Sequence, residues 1–243
     1  MKRYIALMAL AIFFSFTLLQ AQEKATLSTY RVFPKQGKDA ALKKAIADHA
    51  AKYHTGNWKW RVFNVLSGPD QGSLQINEGP NSWTALEGRK DISDEHQRDY
   101  ETTVMPLTEK ATSDAYVIYR REFSSDSVSN IFKKALLRHY YPKPGRGVRI
   151  GASVMMWKKV WEKLGVKATV WTSFFSGEPR WVIAFRLPKG WIDLEQPTGK
   201  AMAVTYDEMY GSGAYARYLD DLGQNVSRID EEMIELLPDV SSK

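Results

Sequence analysis

The chain has 243 residues, a formal net charge of +6 and no cysteine. Its hydrophobic fraction of 44% is enough to bury one large core or two small ones. The lack of cysteine excludes disulfide bonds, thiolate metal sites and cysteine nucleophiles. The basic residues are spread along the chain without runs that interleave with aromatic residues, so nucleic-acid binding is not expected.

The N-terminal residues have the pattern of a secretory signal peptide. Lys2 and Arg3 form a basic start, residues 4–19 are an apolar run, and Ala21 precedes a polar stretch. The apolar run is shorter than the roughly 20 residues needed to cross a bilayer. The pattern predicts a signal peptide at residues 1–21, export to the periplasm or the medium, and no stable membrane insertion after cleavage.

The chain beyond this segment begins with a strand and a helix. Residues 26–33 are rich in β-branched and aromatic residues, which is typical of a strand. Residues 38–53 have helical periodicity. One face of the predicted helix is formed by Leu42, Ile46, His49 and Tyr53.

A hairpin, a second helix and another strand follow. Residues 58–66 and 73–78 are predicted strands, joined by a Ser-Gly-Pro-Asp turn at residues 67–70. A helix near residues 95–105 and a strand at residues 115–123 complete the order β-α-β-β-α-β. This order is that of a ferredoxin-like unit.

The same plan is repeated in the second half of the chain. Pro142 and Gly145 follow a predicted strand at residues 134–141 and align with Pro34 and Gly37. The same offset moves the helical face of the first copy onto Ile150, Val154, Trp157 and Trp161. Helical phase and turn position agree together, so the sequence predicts an internal duplication.

The end of the chain departs from this plan. Apolar residues from Tyr215 to Leu236 alternate steps of four and three, which predicts one long helix and leaves the second copy without a full closing strand. The predicted organisation is a ferredoxin-like repeat at residues 22–123, a polar linker at residues 124–130 and a second repeat at residues 131–243.

Two tandem ferredoxin-like units whose sheets face each other would form a pseudo-dimeric α/β barrel of the α+β class. The sequence resembles the dimeric α/β-barrel superfamily in its fused form, and within it the NIPSNAP and EthD-like groups. The likeness is carried by residues 30–37 and 138–145, by the segments around Trp83 and Trp191, and by residues 231–240. This superfamily includes cofactor-independent monooxygenases and haem-binding or haem-degrading enzymes, so the resemblance implies a fold and no single activity.

Alternation along the predicted strands indicates which side chains enter the barrel. The helix-facing pattern is formed by Leu74, Ile76, Ile183 and Phe185. Their neighbours then point inward: Gln75, Asn77, Ala184 and Arg186. Arg31 and His139 hold equivalent positions in the first strands of the two copies, and Tyr141 shares the face of His139.

These inward positions predict a ligand-binding set. Its members are Arg31, His139, Tyr141 and Arg186, with Tyr119 and Arg121 as further candidates from the closing strand. Cationic and aromatic side chains together suit an anionic or aromatic ligand. The alternative interpretation is that these polar tips reach solvent at the mouth of the barrel.

The remaining histidines do not predict a metal site. His49 holds the position of Trp157 in the other copy, which indicates packing against the sheet, and His54 does not share its helical face. A polar run lacks the alternating spacing and glycine of a calcium loop and indicates a solvated acidic surface: Asp91, Asp94, Glu95, His96 and Asp99. No metal is therefore predicted.

Three functions remain open at this point. The first is an exported protein that holds a small ligand in the barrel cavity without a cofactor. The second is a monooxygenase-like or haem-handling enzyme with His139 as general base or haem ligand. The third is a structural or interaction module with a filled barrel. The sequence leaves the oligomeric state open.

Overall fold

The computed structural model of the protein describes residues 25–90, 92–112, 115–174, 176–195 and 198–243. The predicted signal peptide and Asp91 lie outside these residues. In the part of the chain that is described, no helix is both long and apolar enough to cross a membrane.

Nine strands form one antiparallel sheet that closes on itself. The first half of the chain contributes β1 (Thr26–Pro34), β2 (Trp60–Val65), β3 (Leu74–Asn81), β4 (Thr108–Ala111) and β5 (Ala115–Tyr119). The second half contributes β6 (Lys134–Pro142), β7 (Ala168–Ser173), β8 (Arg180–Arg186) and β9 (Val226–Leu236). The order is β3-β2-β9-β6-β8-β7-β5-β1, and β1 pairs again with β3. The fold is therefore an α+β barrel of eight strands, and β4 extends it beside the end of β1.

Each half closes the barrel through the last strand of the other half. β5 pairs with β7 at Ile118 and Thr172, and β9 pairs with β2 at Ile234 and Val65. Within each half the last strand lies beside the first, in the orders β5-β1-β3-β2 and β9-β6-β8-β7. Both halves therefore contribute to one interior wall.

Six helices among the described residues cover the outside of the barrel or connect its strands. They are α1 (Asp39–Tyr53), α2 (Trp83–Glu87), α3 (Asp94–Asp99), α4 (Gly147–Leu164), α5 (Thr198–Tyr210) and α6 (Ala214–Asn225). A π-helical segment, Tyr100–Val104, continues α3. The strands and helices predicted at residues 26–33, 38–53 and 134–141 are confirmed to within about two residues.

The helical faces predicted from periodicity are buried against the outer face of the sheet. Leu42 and Ile46 of α1 pack with Ile76 in one core, and Val154 and Trp161 of α4 belong to a second core on the other half. Burial of each such side chain contributes about 1.5 to 3 kcal/mol to folding. The two helix layers leave the inner face of the sheet free to form a separate interior.

The prediction of one long C-terminal helix is wrong. Helix α6 ends at Asn225, and Val226–Leu236 forms the full closing strand β9 between β2 and β6. Asp230 and Glu232 of this strand line the barrel cavity. Because the interior is polar at these positions, the strand lacks the usual alternation of apolar and polar residues. Its apolar residues are therefore spaced by steps of four and three, which is the spacing of one face of a helix.

The predicted linker at residues 124–130 contains no helix or strand, but it is fixed to the barrel. Ser124 Oγ accepts a hydrogen bond from the backbone N–H of Val170 at 2.8 Å, and Ser125 Oγ accepts one from Ala168 at 3.0 Å. Val128 and Asn130 reach the cavity wall. This segment therefore covers one part of the interior and does more than join two halves.

Apolar side chains fill one region of the barrel interior. Phe63 of β2, Leu137 of β6 and Ile234 of β9 are buried there together. The ring of Phe132 stacks on Phe63 with centroids 5.4 Å apart. The polar cavity described next occupies the space that this apolar cluster leaves.

Candidate functional site

A cavity of about 270 Å³ lies inside the barrel, and all eight barrel strands contribute to its wall. The pleat of each strand turns alternate side chains inward, as in Leu27, Thr29 and Arg31 of β1. Leu137, His139 and Tyr141 of β6 and Asp230, Glu232 and Ile234 of β9 follow the same rule. Polar and ionised side chains from both halves therefore meet in one space.

The centre of this polar wall is Glu232 of β9, which is 3% exposed. Both of its carboxylate oxygens accept hydrogen bonds from the guanidinium of Arg31, one of them at 2.9 Å. The ring of His139 bonds the same carboxylate through Nε2 at 2.7 Å. Arg31 also donates to Asp70 and to Gln75, each at 2.8 Å. The network thus joins strands β1, β3, β6 and β9.

The charge of Glu232 is strongly favoured by these partners. Burial alone would raise the pKa of this carboxyl group, but hydrogen bonds from His139 and Arg31 outweigh it and lower the pKa to about 2. Glu232 is therefore a carboxylate at neutral pH. Because a carboxylate can only accept, Nε2 of His139 carries the proton in this contact.

The second ring nitrogen of His139, Nδ1, is buried and has no hydrogen-bond partner among the described residues. With the proton on Nε2, a neutral ring presents a lone pair at Nδ1. An imidazole held by a carboxylate on one side and unpartnered on the other is the arrangement of a general base.

A second ion pair lies on β8, the strand beside β6. Nη1 of Arg186 is 2.5 Å from the Asp126 carboxylate, and both side chains are buried. The guanidinium of Arg186 also lies 5.4 Å above the ring of Phe132. Asp126 belongs to the segment predicted as a linker, so that segment supplies a charged partner to the cavity.

Arg61 of β2, like Arg180 of β8, is a cavity cation without a hydrogen bond or ion pair among the described residues. Burial lowers the pKa of its guanidinium, and the positive charge of Arg186 lowers it further. Both effects penalise the charged form of Arg61. An anionic group in the cavity would relieve this penalty, because it would supply the missing counter-charge and hydrogen-bond acceptors.

The structure places the four predicted ligand-binding residues, Arg31, His139, Tyr141 and Arg186, on the wall of this one cavity. Gln75, Asn77 and Ala184 also face it, as the alternation predicts. Tyr119 and Arg121 do not line it. The hydroxyl of Tyr119 donates to the backbone carbonyl of Asp126, and Arg121 lies in an exposed turn after β5.

Sequence reasoning missed two central members of the site. Glu232 was hidden because its strand was predicted as a helix. Arg61 was predicted to lie in a strand, but its face was not assigned, although the buried neighbours Trp60 and Val62 would have turned it inward. Applying the alternation rule to every strand would have found Arg61.

The closed barrel, its antiparallel order and its outer helices define a dimeric α+β-barrel fold. No known family model matches the chain. No curated protein is significantly similar to it in sequence. The likeness to known proteins therefore comes from three-dimensional structure.

Several solved structures share this fold over most of both chains. A protein provisionally classed as a monooxygenase from Fusobacterium nucleatum has a TM-score of 0.57 at 12% identity, covering 88% of this chain and 93% of that one. An anthrone oxidase-like protein has a TM-score of 0.57 at 10% identity, covering 89% and 93%. A chlorite dismutase variant from Candidatus Nitrospira defluvii has a TM-score of 0.56 at 8% identity, covering 90% and 94%. At these identities the likeness establishes the fold alone.

The barrel cavity does not fit a haem. Its volume of about 270 Å³ is small even for a drug-sized ligand, for which pockets span roughly 300 to 1,000 Å³, and a tetrapyrrole is larger than such ligands. A larger groove of about 810 Å³ lies on the helix side of β6, β8 and β9, and none of the described residues that line it is a histidine. The chemistry proposed below therefore uses no haem.

Proposed function

We propose that the protein is a monooxygenase-like enzyme without a cofactor, which binds a small anionic aromatic compound in the barrel cavity and removes a proton from it with His139. The observation that carries this proposal is the His139 ring, bonded through Nε2 to the buried carboxylate of Glu232 and unpartnered at Nδ1. The shared fold with monooxygenase-like proteins supports the reaction class.

The binding half of the proposal rests on charge and shape. Arg61 is an inward-facing cation without a described partner, and Arg186 adds a second positive charge nearby. Phe63, Phe132 and Trp171 supply aromatic surface on the same wall. A flat apolar ligand with one anionic or enolate oxygen suits both the cation and the aromatic surface. Its rings contact the aromatic side chains, and its oxygen accepts a hydrogen bond from Arg61.

The chemical half rests on the histidine and carboxylate pair. When Nδ1 of His139 takes a proton, the ring becomes a cation, and the adjacent Glu232 carboxylate stabilises that cation. Arg31 holds Glu232 in place through two hydrogen bonds. The acidic group of the substrate is a phenol, an enol or a methylene beside a carbonyl.

The oxidant of the proposed reaction is dioxygen. Loss of one proton leaves an electron-rich carbanion or phenolate, which can reduce dioxygen directly. For a methylene substrate, one oxygen atom becomes the new carbonyl oxygen. The other leaves as water with the two hydrogens of the methylene, so one methylene and one dioxygen give one ketone and one water.

We further infer that the barrel is a fusion of two ferredoxin-like units at residues 22–123 and 131–243, and that the protein is exported. The equivalent strand orders of the two halves support the fusion. The basic and apolar N-terminal sequence supports export. The likeness to the NIPSNAP and EthD-like groups stays a prediction of the sequence pattern.

Replacing His139 with glutamine is expected to lower kcat by about 10²- to 10⁴-fold, because general base catalysis contributes about that much. Glutamine keeps a donor for Glu232, so KM should change little. The measurement is dioxygen uptake by the purified protein with anthrone and with hydroxylated aromatics of one to three rings. The proposal is wrong if no compound gives uptake above the protein-free rate, or if the variant is as fast as the wild type. A Soret band in the purified protein would contradict the absence of haem.

Replacing Arg61 with glutamine is expected to weaken binding of an anionic aromatic by roughly 10- to 150-fold, which corresponds to about 1.5 to 3 kcal/mol for a hydrogen bond to a charged group. The matched control is Arg121→Gln, since Arg121 is exposed and lies outside the cavity. Calorimetric titration with hydroxynaphthoate would measure the affinity of both variants and of the wild type for this anionic aromatic compound. Equal affinities in the two variants would rule out Arg61 as the anion-binding residue.

A further inference from the structure

Three of the four histidines in the chain form a buried cluster outside the barrel. His49 lies near the end of α1, His54 is the residue that follows α1, and His96 lies on α3. They are 1%, 3% and 8% exposed. One ring nitrogen from each lies within 4.8 Å of the other two.

The chain brings these rings together through its turns. The backbone N–H of His54 bonds the carbonyl of Ala50 at 3.0 Å, so the chain turns immediately after α1 and His54 folds back beside His49. Ser93 Oγ accepts a hydrogen bond from the backbone N–H of His96, which starts α3 and places that ring. His49 and His54 could not share a face of one continuous helix, but the turn after α1 brings the two rings together.

Two carboxylates fix the orientation of two of the rings. Nδ1 of His49 lies 2.7 Å from Asp99, and Nδ1 of His54 lies 2.7 Å from Glu78. A carboxylate accepts only, so both Nδ1 atoms are donors and both Nε2 atoms present lone pairs when the rings are neutral. Metal-binding histidines are commonly held in this way, with the second nitrogen donating to a carboxylate.

The three Nε2 atoms lie close together. Nε2 of His96 is 3.1 Å from Nε2 of His49 and 3.2 Å from Nε2 of His54. A proton on His96 Nε2 can make a full hydrogen bond to one of these acceptors, which leaves lone pairs facing each other in the remaining contact. A cation between the three nitrogens would satisfy all of them. Tetrahedral zinc with bonds of about 2.0 to 2.1 Å places its nitrogens about 3.3 Å apart.

We propose that His49, His54 and His96 bind one divalent ion of the zinc class through their Nε2 atoms, with a water or small anion as the fourth ligand. Three imidazoles suit zinc, copper, nickel and cobalt over magnesium or calcium, which prefer oxygen. Asp99 and Glu78 balance the charge of the ion from behind the rings. The site lies outside the barrel cavity and does not depend on the function proposed for it.

Aromatic residues enclose the site. Trp60 stacks on His54 with centroids 3.7 Å apart, and Tyr53 stacks on His96 at 4.8 Å. The edge of Tyr100 meets His49 at 5.3 Å. Three protein ligands with one open position is the composition of catalytic zinc sites, whereas structural sites use four protein ligands. Because its ligands come from α3 and from the end of α1, the ion would also hold α3 and the π-helical segment that continues it against α1.

The test removes any bound ion from the full-length protein with a chelator, adds Zn²⁺ or Co²⁺ and then removes the unbound ion. Elemental analysis and native mass spectrometry measure how many ions each chain retains. We expect one equivalent per chain in the wild type, one equivalent in His139→Gln and less than about one tenth in His96→Gln. Loading should raise Tm by roughly 10 °C when the ion exceeds its dissociation constant about 1,000-fold. No uptake by the wild type, or full uptake by His96→Gln, would overturn the proposal.

Three further measurements keep the test decisive if His96→Gln fails to fold. Asp99→Asn should weaken Zn²⁺ binding about 10- to 100-fold, whereas Asp94→Asn, an exposed carboxylate on the same helix, should not change it. In the wild type, the nitrogen resonances of three histidine rings should shift on loading at Nε2. Azide should change the visible bands of the Co²⁺ form. Unshifted ring nitrogens would overturn the site, and unchanged Co²⁺ bands would overturn its open position.

Discussion

Replacing Glu232 with glutamine is expected to lower the free energy of unfolding by about 3 to 5 kcal/mol at pH 7, the usual cost of removing one partner of a buried ion pair. Glu232 is 3% exposed and is bonded by both Arg31 and His139. Glutamine has nearly the same size, so the loss reports the missing charge rather than a cavity. Arg31 keeps Asp70 as a partner, which limits the loss.

The same substitution should make the free energy of unfolding depend less on pH in the acidic range. The pKa of Glu232 is lowered from 4.5 to about 2 in the folded protein. A lowered pKa contributes stability that is present above the unfolded value and lost as pH falls through the folded value. The wild type should therefore lose this contribution between about pH 4.5 and pH 2, and Glu232→Gln should lose nothing through this group in that window.

Urea unfolding of the wild type and variants, measured from pH 7 to pH 2, tests both effects. The matched control is Glu231→Gln on the neighbouring position of β9. Glu231 faces outward, is 46% exposed and pairs with Arg138, so its loss should cost about 1 kcal/mol or less. Equal destabilisation by the two substitutions would contradict the central role assigned to Glu232.

Replacing Gly68 with alanine is expected to destabilise the protein by about 2 to 5 kcal/mol. Gly68 has φ +89, where a side chain costs about 1 to 2 kcal/mol. A Cβ there would also lie 2.6 Å from the carbonyl oxygen of Glu231 and 2.9 Å from Cβ of Glu232. Relief of this clash requires the β2–β3 turn and β9 to separate, which adds about 1 to 3 kcal/mol.

The corresponding turn of the other half supplies the control. Gly177 lies between β7 and β8 with φ +69, and a Cβ at that position would have no described atom within 4 Å. Gly177→Ala should therefore cost only the conformational part, about 1 to 2 kcal/mol. Thermal unfolding of both variants distinguishes the two contributions. If Gly177→Ala were the more damaging change, the close approach at Gly68 would not matter for stability.

Much of the fold follows from local sequence patterns. Helices α1 and α4 each bury one face in an apolar core, and the Ser-Gly pairs at residues 67 and 176 mark the hairpins. These patterns are visible because each element has one face in an apolar core. Strand β9 is not predictable in the same way, because its inward residues Asp230 and Glu232 face a polar cavity. Its identity is decided by pairing with β2 and β6.

The same distinction separates the two candidate sites: a local pattern predicts the barrel residues but not the histidine cluster. Arg31, His139, Tyr141 and Arg186 were predictable because strand alternation determines which side chains share a face. The histidine cluster was not, because it depends on where α1 ends and on an irregular connection that returns α3 to its side. His96 and Asp99 were predicted as a solvated surface; the structure shows that His96 is buried and that Asp99 bonds His49.

The exchange of closing strands has a consequence for synthesis of the chain. Ser67, beside β2, bonds Met233 of β9, 166 residues later. At about 5 to 20 residues per second, the outer edge of β2 stays unpaired for roughly 10 to 30 s, and an unpaired edge is a template for aggregation. Glu232 emerges only with that last strand. A nascent chain that ends between His139 and Glu232 therefore holds Arg31 and His139 without the carboxylate that joins them. A protein truncated before β9 would lack both a closed barrel and the carboxylate that orients its proposed base, His139.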